Sequence, residues 1–181
     1  MNALPEFWAA VLGWLDLISG RKDADGKFNL SRAGLVNATG AYFAVVLLSL
    51  AVAAAMGQNP GFIGALVGIV FNALPLVAIW LVIVGTTAVL RPASGPLSLL
   101  VPATYAMALI LVIRVPLEVL APNLFGNALL GALCFMLYRG ARGVAGFGIG
   151  SALSFAVLSA VALVLVTIGV YMLATGGAGI G

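Results

Sequence analysis

The sequence predicts an all-α fold: a polytopic membrane helix bundle of about five transmembrane helices with an N-terminal amphipathic helix. Three observations carry that expectation. Of 181 residues, 64% are hydrophobic and 7% charged, with a mean hydropathy of +1.23, whereas soluble domains are about half apolar and about a quarter charged. A core of this size cannot hide that much apolar surface, so the surplus must face hydrocarbon. Five long apolar stretches recur along the chain, and basic connections alternate with uncharged ones.

The N-terminal segment comes first. From Pro5 to Ser19, Phe7, Trp8, Val11, Trp14, Leu15 and Ile18 fall on one helical face and Glu6, Ala9, Gly13 and Asp16 fall opposite. Pro5 suits a first helical turn and Gly20 a C-terminal stop. The stretch is too short to span, so it is expected to lie in the interface, anchored by Phe7, Trp8 and Trp14 at headgroup depth. Packing of the same face against the protein's own spans is the alternative. The start Met1-Asn2-Ala3-Leu4-Pro5-Glu6 lacks the basic lead of a secretory signal, so the segment is expected to remain in the mature protein.

Arg21 to Arg32 is the one hydrophilic segment of any length, with Asp25-Gly26 as a turn signal. Asp23-Ala24-Asp25-Gly26 looks like the opening of a calcium loop. The remaining oxygen ligands and the closing Glu of that pattern are missing, so no metal is expected.

The apolar stretches run from Gly34 to Met56, Phe62 to Leu90, Leu97 to Leu120, Leu124 to Tyr138 and Ile149 to Ala174. A helix needs about 20 apolar residues to cross hydrocarbon, so the fourth is marginal. Pro75 removes a backbone donor and predicts a bend in the second span. Four basic residues precede the first span, Arg91 precedes the third, and Arg139 and Arg142 precede the fifth, while Gly57 to Gly61 and Ala121 to Asn123 carry none. Lys and Arg stay on the cytoplasmic side. The expected layout is therefore a multi-pass protein of the cell inner (plasma) membrane, N-terminus cytoplasmic and C-terminus extracytoplasmic, with the marginal fourth segment crossing. Residues 1–33 form a cytoplasmic amphipathic helix and charged linker, 34–174 the five-helix transmembrane domain, and 175–181 a glycine-rich extracytoplasmic tail.

Chemistry-bearing residues are few. Arg114 and Glu118 are the ionisable pair within a span, one turn apart on one face. Arg114 lies roughly 25 Å along its helix from Leu97, close to the outer boundary, so an ion pair competes with snorkelling to the interface. Asn37, Thr39, Tyr42, Asn72, Thr104, Tyr105, Asn127, Ser154, Ser159 and Thr167 either tie helices together or line a path. Gly64 with Gly68 and Gly40 with Ala44 form small-xxx-small pairs that permit close helix approach, within the chain or between copies. Gly143, Gly146, Gly148 and Gly150 lack the strand and partner residues of a phosphate loop and read as a flexible lead into the fifth span. Cys134, alone in an apolar run, reads as a packing residue.

No histidine is present, so Ser/His, zinc and Cys/His constellations cannot be built. Every Asp precedes the first span. The expectation is no enzyme, no catalytic residue, no cofactor and no metal; the basic residues are spread too widely for nucleic acid. Partners are expected to be membrane lipid, a second copy of the chain, or another membrane protein. The expected function is a non-enzymatic scaffold or accessory subunit acting through helix packing. A small transporter or channel subunit using Arg114, Glu118 and Asn72, or a lipid-handling factor using Phe7, Trp8 and Trp14, are the alternatives.

Five spans behind a cytoplasmic N-terminal region, with a very short outer tail, resemble the Yip1-domain family of small five-span membrane proteins. The likeness covers the layout. Asp16-Leu17 continues Ile18-Ser19-Gly20 where the eukaryotic members follow with Gly-Pro, so no functional residue carries across. The Ala-, Gly-, Val- and Leu-rich make-up also resembles inner-membrane proteins of bacteria with GC-rich genomes.

Overall fold

The computed structural model describes residues 3–21, 25–58, 61–91, 95–120 and 125–176. Among them lie six helices, α1 (Ala3–Ser19), α2 (Arg32–Ala55), α3 (Gly61–Leu90), α4 (Leu97–Leu120), α5 (Gly126–Gly143) and α6 (Ile149–Gly176), a short 3-10 turn (Asp25–Lys27), and no strand. The chain is an all-helical bundle, and α2, α3, α4 and α6 are long and apolar enough to cross a membrane. In α5, Asn127, Tyr138, Arg139 and Arg142 fall within 18 residues, which lowers its apolar content below theirs.

Helix α4 is the axis. All eight residues from Val101 to Ala108 are buried, on every side of the helix, as expected of a helix packed all round. It packs against α1, α2, α3 and α5, while α6 closes the ring between α3 and α5. Pro102 and Pro116 in α4 and Pro75 in α3 lie inside unbroken helices. The donor that each proline lacks is tolerated in a bundle where neighbouring groups take up the freed carbonyls. Near Pro75, the Tyr42 hydroxyl of α2 donates to the Asn72 carbonyl at 2.6 Å, and the Asn72 amide donates to Gly68 O at 2.8 Å.

Small residues set the separations. A Cβ on Gly68 would lie 2.9 Å from Leu50 of α2, one on Gly140 3.0 Å from the Trp14 ring, and one on Gly143 2.4 Å from Leu17. Each glycine admits one large side chain from a facing helix, which is how packing gains attraction where lipid offers no hydrophobic drive between helices.

The neighbours of α5 fix its direction. Its first turns share a cavity with Ile110, Arg114 and Leu117 of α4 and with Leu163 and Thr167 of α6. Its last turns meet Leu99, Pro102 and Ala103 of α4 and Phe155 of α6. Helix α5 therefore runs antiparallel to both and traverses the bundle from one end to the other, a length of about 27 Å at 1.5 Å per residue. The end of α3 likewise lies beside the start of α6, where Val82, Gly85 and Val89 face Ser151, Ser154 and Leu158.

Helix α1 departs from the interfacial expectation. Rather than lying beneath the bundle, it inserts among α2, α4 and α5. Ala10, Gly13, Trp14, Asp16 and Leu17 are buried, and Leu4, Trp8, Leu12, Leu15 and Ile18 are exposed. The face expected to anchor in lipid is thus divided. Trp8 points outward, Phe7 is half-buried with its ring centroid 6.2 Å from that of Tyr105, and Trp14 is 2% exposed. Its two carboxylates, on the face read as polar, find protein partners inside the bundle.

Candidate functional site

Those partners build the most polar region of the described structure. At the deep end of α1, Glu6 Oε2 accepts a 2.6 Å bond from the Asn37 amide of α2. Glu6 Oε1, Trp14 Nε1 and Tyr105 OH are buried with no hydrogen-bond partner among the described residues. At its other end Asp16 is gripped by Lys27 of the 3-10 turn and by Arg21, whose Nη1 lies 3.3 Å from Oδ1. The hydrogen bond from Lys27 is the main cause holding the Asp16 carboxyl below its usual range, with Arg21 adding to it against the opposing effect of burial.

The end of α1 is itself a docking point. Gly20 adopts a φ of +79°, which only glycine takes without strain. It lets the Gly20 amide bond Leu17 O at 3.2 Å and the Arg21 amide bond Asp16 O at 2.9 Å, the paired closure that ends many helices. Arg139 of α5 adds two donors to the same Leu17 carbonyl, Nε at 2.8 Å and Nη2. A guanidinium on the last carbonyls of a helix also meets the negative end of its dipole. Arg21, Tyr138, Arg139 and Arg142, with Leu17, Gly20 and Gly143, line a cavity of about 490 Å³ there. Arg32 opens α2, Arg91 ends α3 and the α5 arginines end that helix. The antiparallel packing thus gathers every described Lys and Arg except Arg114 at one end of the bundle.

Other sequence-predicted residues lie elsewhere. Arg114 is exposed and lines a separate cavity of about 510 Å³ with Ile110, Asn127, Leu130 and Thr167 at the opposite end. The Glu118 side chain lies outside the described residues, as do the tail beyond Gly176, the Ala121 to Asn123 connection and the first two residues of Asp23-Ala24-Asp25-Gly26. Gly68 faces α2 within the chain, and Gly64 is half-buried on the same helix. Gly40 and Ala44 are exposed on α2. Among the described residues no three His, Cys, Asp or Glu side chains gather. Arg139, Asp16 and Tyr138 were not singled out in the sequence as site residues; Arg139 and Leu17 lie 122 positions apart, and no local spacing announces such a contact.

The chain matches no family model, no curated protein and no solved structure.

Proposed function

We propose that this chain is a non-enzymatic integral membrane protein that associates laterally, as a scaffold or accessory subunit, through the outward face of α2. One observation carries this reading. Ala33, Val36, Gly40, Ala44, Leu47 and Ala51 form an exposed stripe along α2, and nothing lies within 4 Å of a Cβ placed on Gly40. The large residues exposed on α2 are Val36, Leu47 and Leu48, whereas such residues run along the outward sides of α3 and α6, with Phe62, Ile63, Leu66 and Leu81 on one and Leu153, Val157, Leu165 and Ile168 on the other. A narrow helix face lets another backbone approach closely, whereas bulky faces are what lipid tails solvate.

The basic end faces the cytoplasm of the inner membrane in this reading, because Lys and Arg are retained there. The traverse of α5 supports five crossings, and that layout is the one that resembles the Yip1-domain family. The transporter alternative draws less support. Thr39, Thr87 and Thr167 bond carbonyls of their own helices, and Thr104 ties Trp80 to α4 at 3.0 Å, so these groups serve helix and bundle cohesion.

The test is Gly40→Leu with Ala44→Leu, a change on an exposed face that leaves the fold intact. Purified in mild detergent, the double variant is expected to lose a co-purifying transmembrane partner or second copy, with an unchanged thermal midpoint. Assembly identical to the unsubstituted protein would overturn the reading, and cross-linked mass tells a partner from a copy.

A further inference from the structure

We propose that the arginine-lined cavity at the basic end is a binding site for an anionic phospholipid, its phosphate held by Arg139, Arg142 and Arg21 and one acyl chain lying in the groove between α5 and α6. The inference rests on the proposed layout, with α5 crossing and the basic end at a membrane surface, but the α2 face takes no part in it, so loss of the α2 association would leave it standing.

Three guanidinium groups converge on one cavity. Two helix ends contribute about half a negative charge each, so the cavity stays net positive. Asp16, the nearby carboxylate, is turned to Lys27 and Arg21. Arg139 spends Nε and Nη2 on Leu17 O, and a guanidinium has five N–H donors, so donors remain for an anion. Arg142 is exposed and makes no ion pair among the described residues. Planar forks of this kind suit phosphate oxygens.

The adjoining surface decides between a lipid phosphate and a free one. Tyr138, in the wall of the basic cavity, also lines a second hollow of about 300 Å³ with Cys134, Phe135, Leu153, Val157 and Ala160. Those residues are apolar and belong to α5 and α6, one to several turns deeper along both helices. A polar cavity that adjoins an apolar groove across Tyr138 matches a headgroup joined to a chain, and basic pockets between helices on the cytoplasmic side are recurrent sites for such lipids. Free phosphate would use the arginines alone.

The experiment reconstitutes the full chain in nanodiscs of equimolar phosphatidylglycerol and phosphatidylcholine, extracts it in mild detergent, and counts retained lipid by native mass spectrometry. Phosphatidylglycerol is expected to be retained about tenfold over phosphatidylcholine, and Arg142→Gln to remove that preference, as expected for the loss of one charge-assisted contact. Val157→Trp, which fills the groove from an exposed position, is expected to weaken lipid retention, and millimolar glycerol phosphate to displace no lipid. Equal retention of the two lipids, unchanged retention in Arg142→Gln or Val157→Trp, or displacement by glycerol phosphate would each overturn the proposal. Arg142 is exposed, whereas Arg139 holds the end of α1, so the Arg142 variant keeps the test decisive even if Arg139→Gln fails to fold.

Discussion

At the scale of single residues, Asp16 shows how a charged group is made tolerable beside a bundle core. Its side chain is 10% exposed, and an unpaired carboxylate there would be destabilising. Lys27 and Arg21 satisfy it and hold its pKa below the ordinary 3.8. Folding therefore favours the ionised form. The resulting stabilisation is complete well above 3.8, declines as the pH falls below that value, and is lost once the lower, folded-state value is passed. Trp14 emission, which reports docking of α1, is expected to shift red on acidification through this range, and Asp16→Asn to remove that component at neutral pH already. A titration identical in the two proteins would assign the transition to other groups. Trp14 and Trp8 make a second contrast. Trp14 fills the space over Gly140, 2% exposed, while Trp8 is 62% exposed. Trp14→Ala should cost about 3–5 kcal/mol in denaturation from mixed micelles, and Trp8→Ala no more than about 0.5 kcal/mol. Brominated lipid should quench Trp8 and spare Trp14.

At the scale of elements, helix existence and extent were legible because apolar runs long enough to cross a bilayer leave little choice of structure. Each helix begins and ends within a few residues of its apolar stretch except α5, which runs five residues past Tyr138 and takes Arg139, Arg142 and Gly143, read as connection, into its last turns. The placement of α1 was not legible. A helix with lipid on one side and protein on the other is apolar on both, so a hydrophobic face no longer says which way it turns. What decides is the position of two carboxylates relative to their partners: Arg21 and Lys27 lie 5 and 11 positions from Asp16, but Asn37 lies 31 from Glu6, beyond any local pattern. The start of α2 was similarly hidden. The Ser31 hydroxyl accepts from the Gly34 amide at 3.1 Å as an N-cap. The chain before it folds so closely that a Cβ on Gly34 would lie 1.8 Å from Asn29 O. Ser31→Ala should cost about 1 kcal/mol. Gly34→Ala forces backbone to move and should cost about 1–3 kcal/mol, larger than Ser31→Ala in the same denaturation assay. The reverse order would mean that the turn at 28–31 yields easily.

At the scale of the whole molecule, the charge alternation read from the chain and the helix packing are independent, and they coincide. Alternation alone places basic connections on one side of a bilayer. Packing alone, through the shared neighbours of α5 with α4 and α6 and of α3 with α6, brings the same residues to one end of the bundle. The weak point is α5, whose polar residues make it the least apolar of the long helices. If it failed to cross, Asn127 and the Arg139–Arg142 pair would share a side, and the proposed lipid cavity would lose its place at the surface proposed as cytoplasmic. Single cysteines introduced in a Cys134→Ser background separate the cases. Ser19 and Gly148 lie at the basic end, and Gln58 and Asn127 at the other; all four are exposed. An impermeant maleimide applied to intact spheroplasts should label Gln58→Cys and Asn127→Cys and reach Ser19→Cys and Gly148→Cys only after lysis. Labelling of Asn127→Cys only after lysis would remove the fourth crossing. Labelling of all four in the reverse sense would keep the bundle and invert it, placing the three arginines against the outer leaflet.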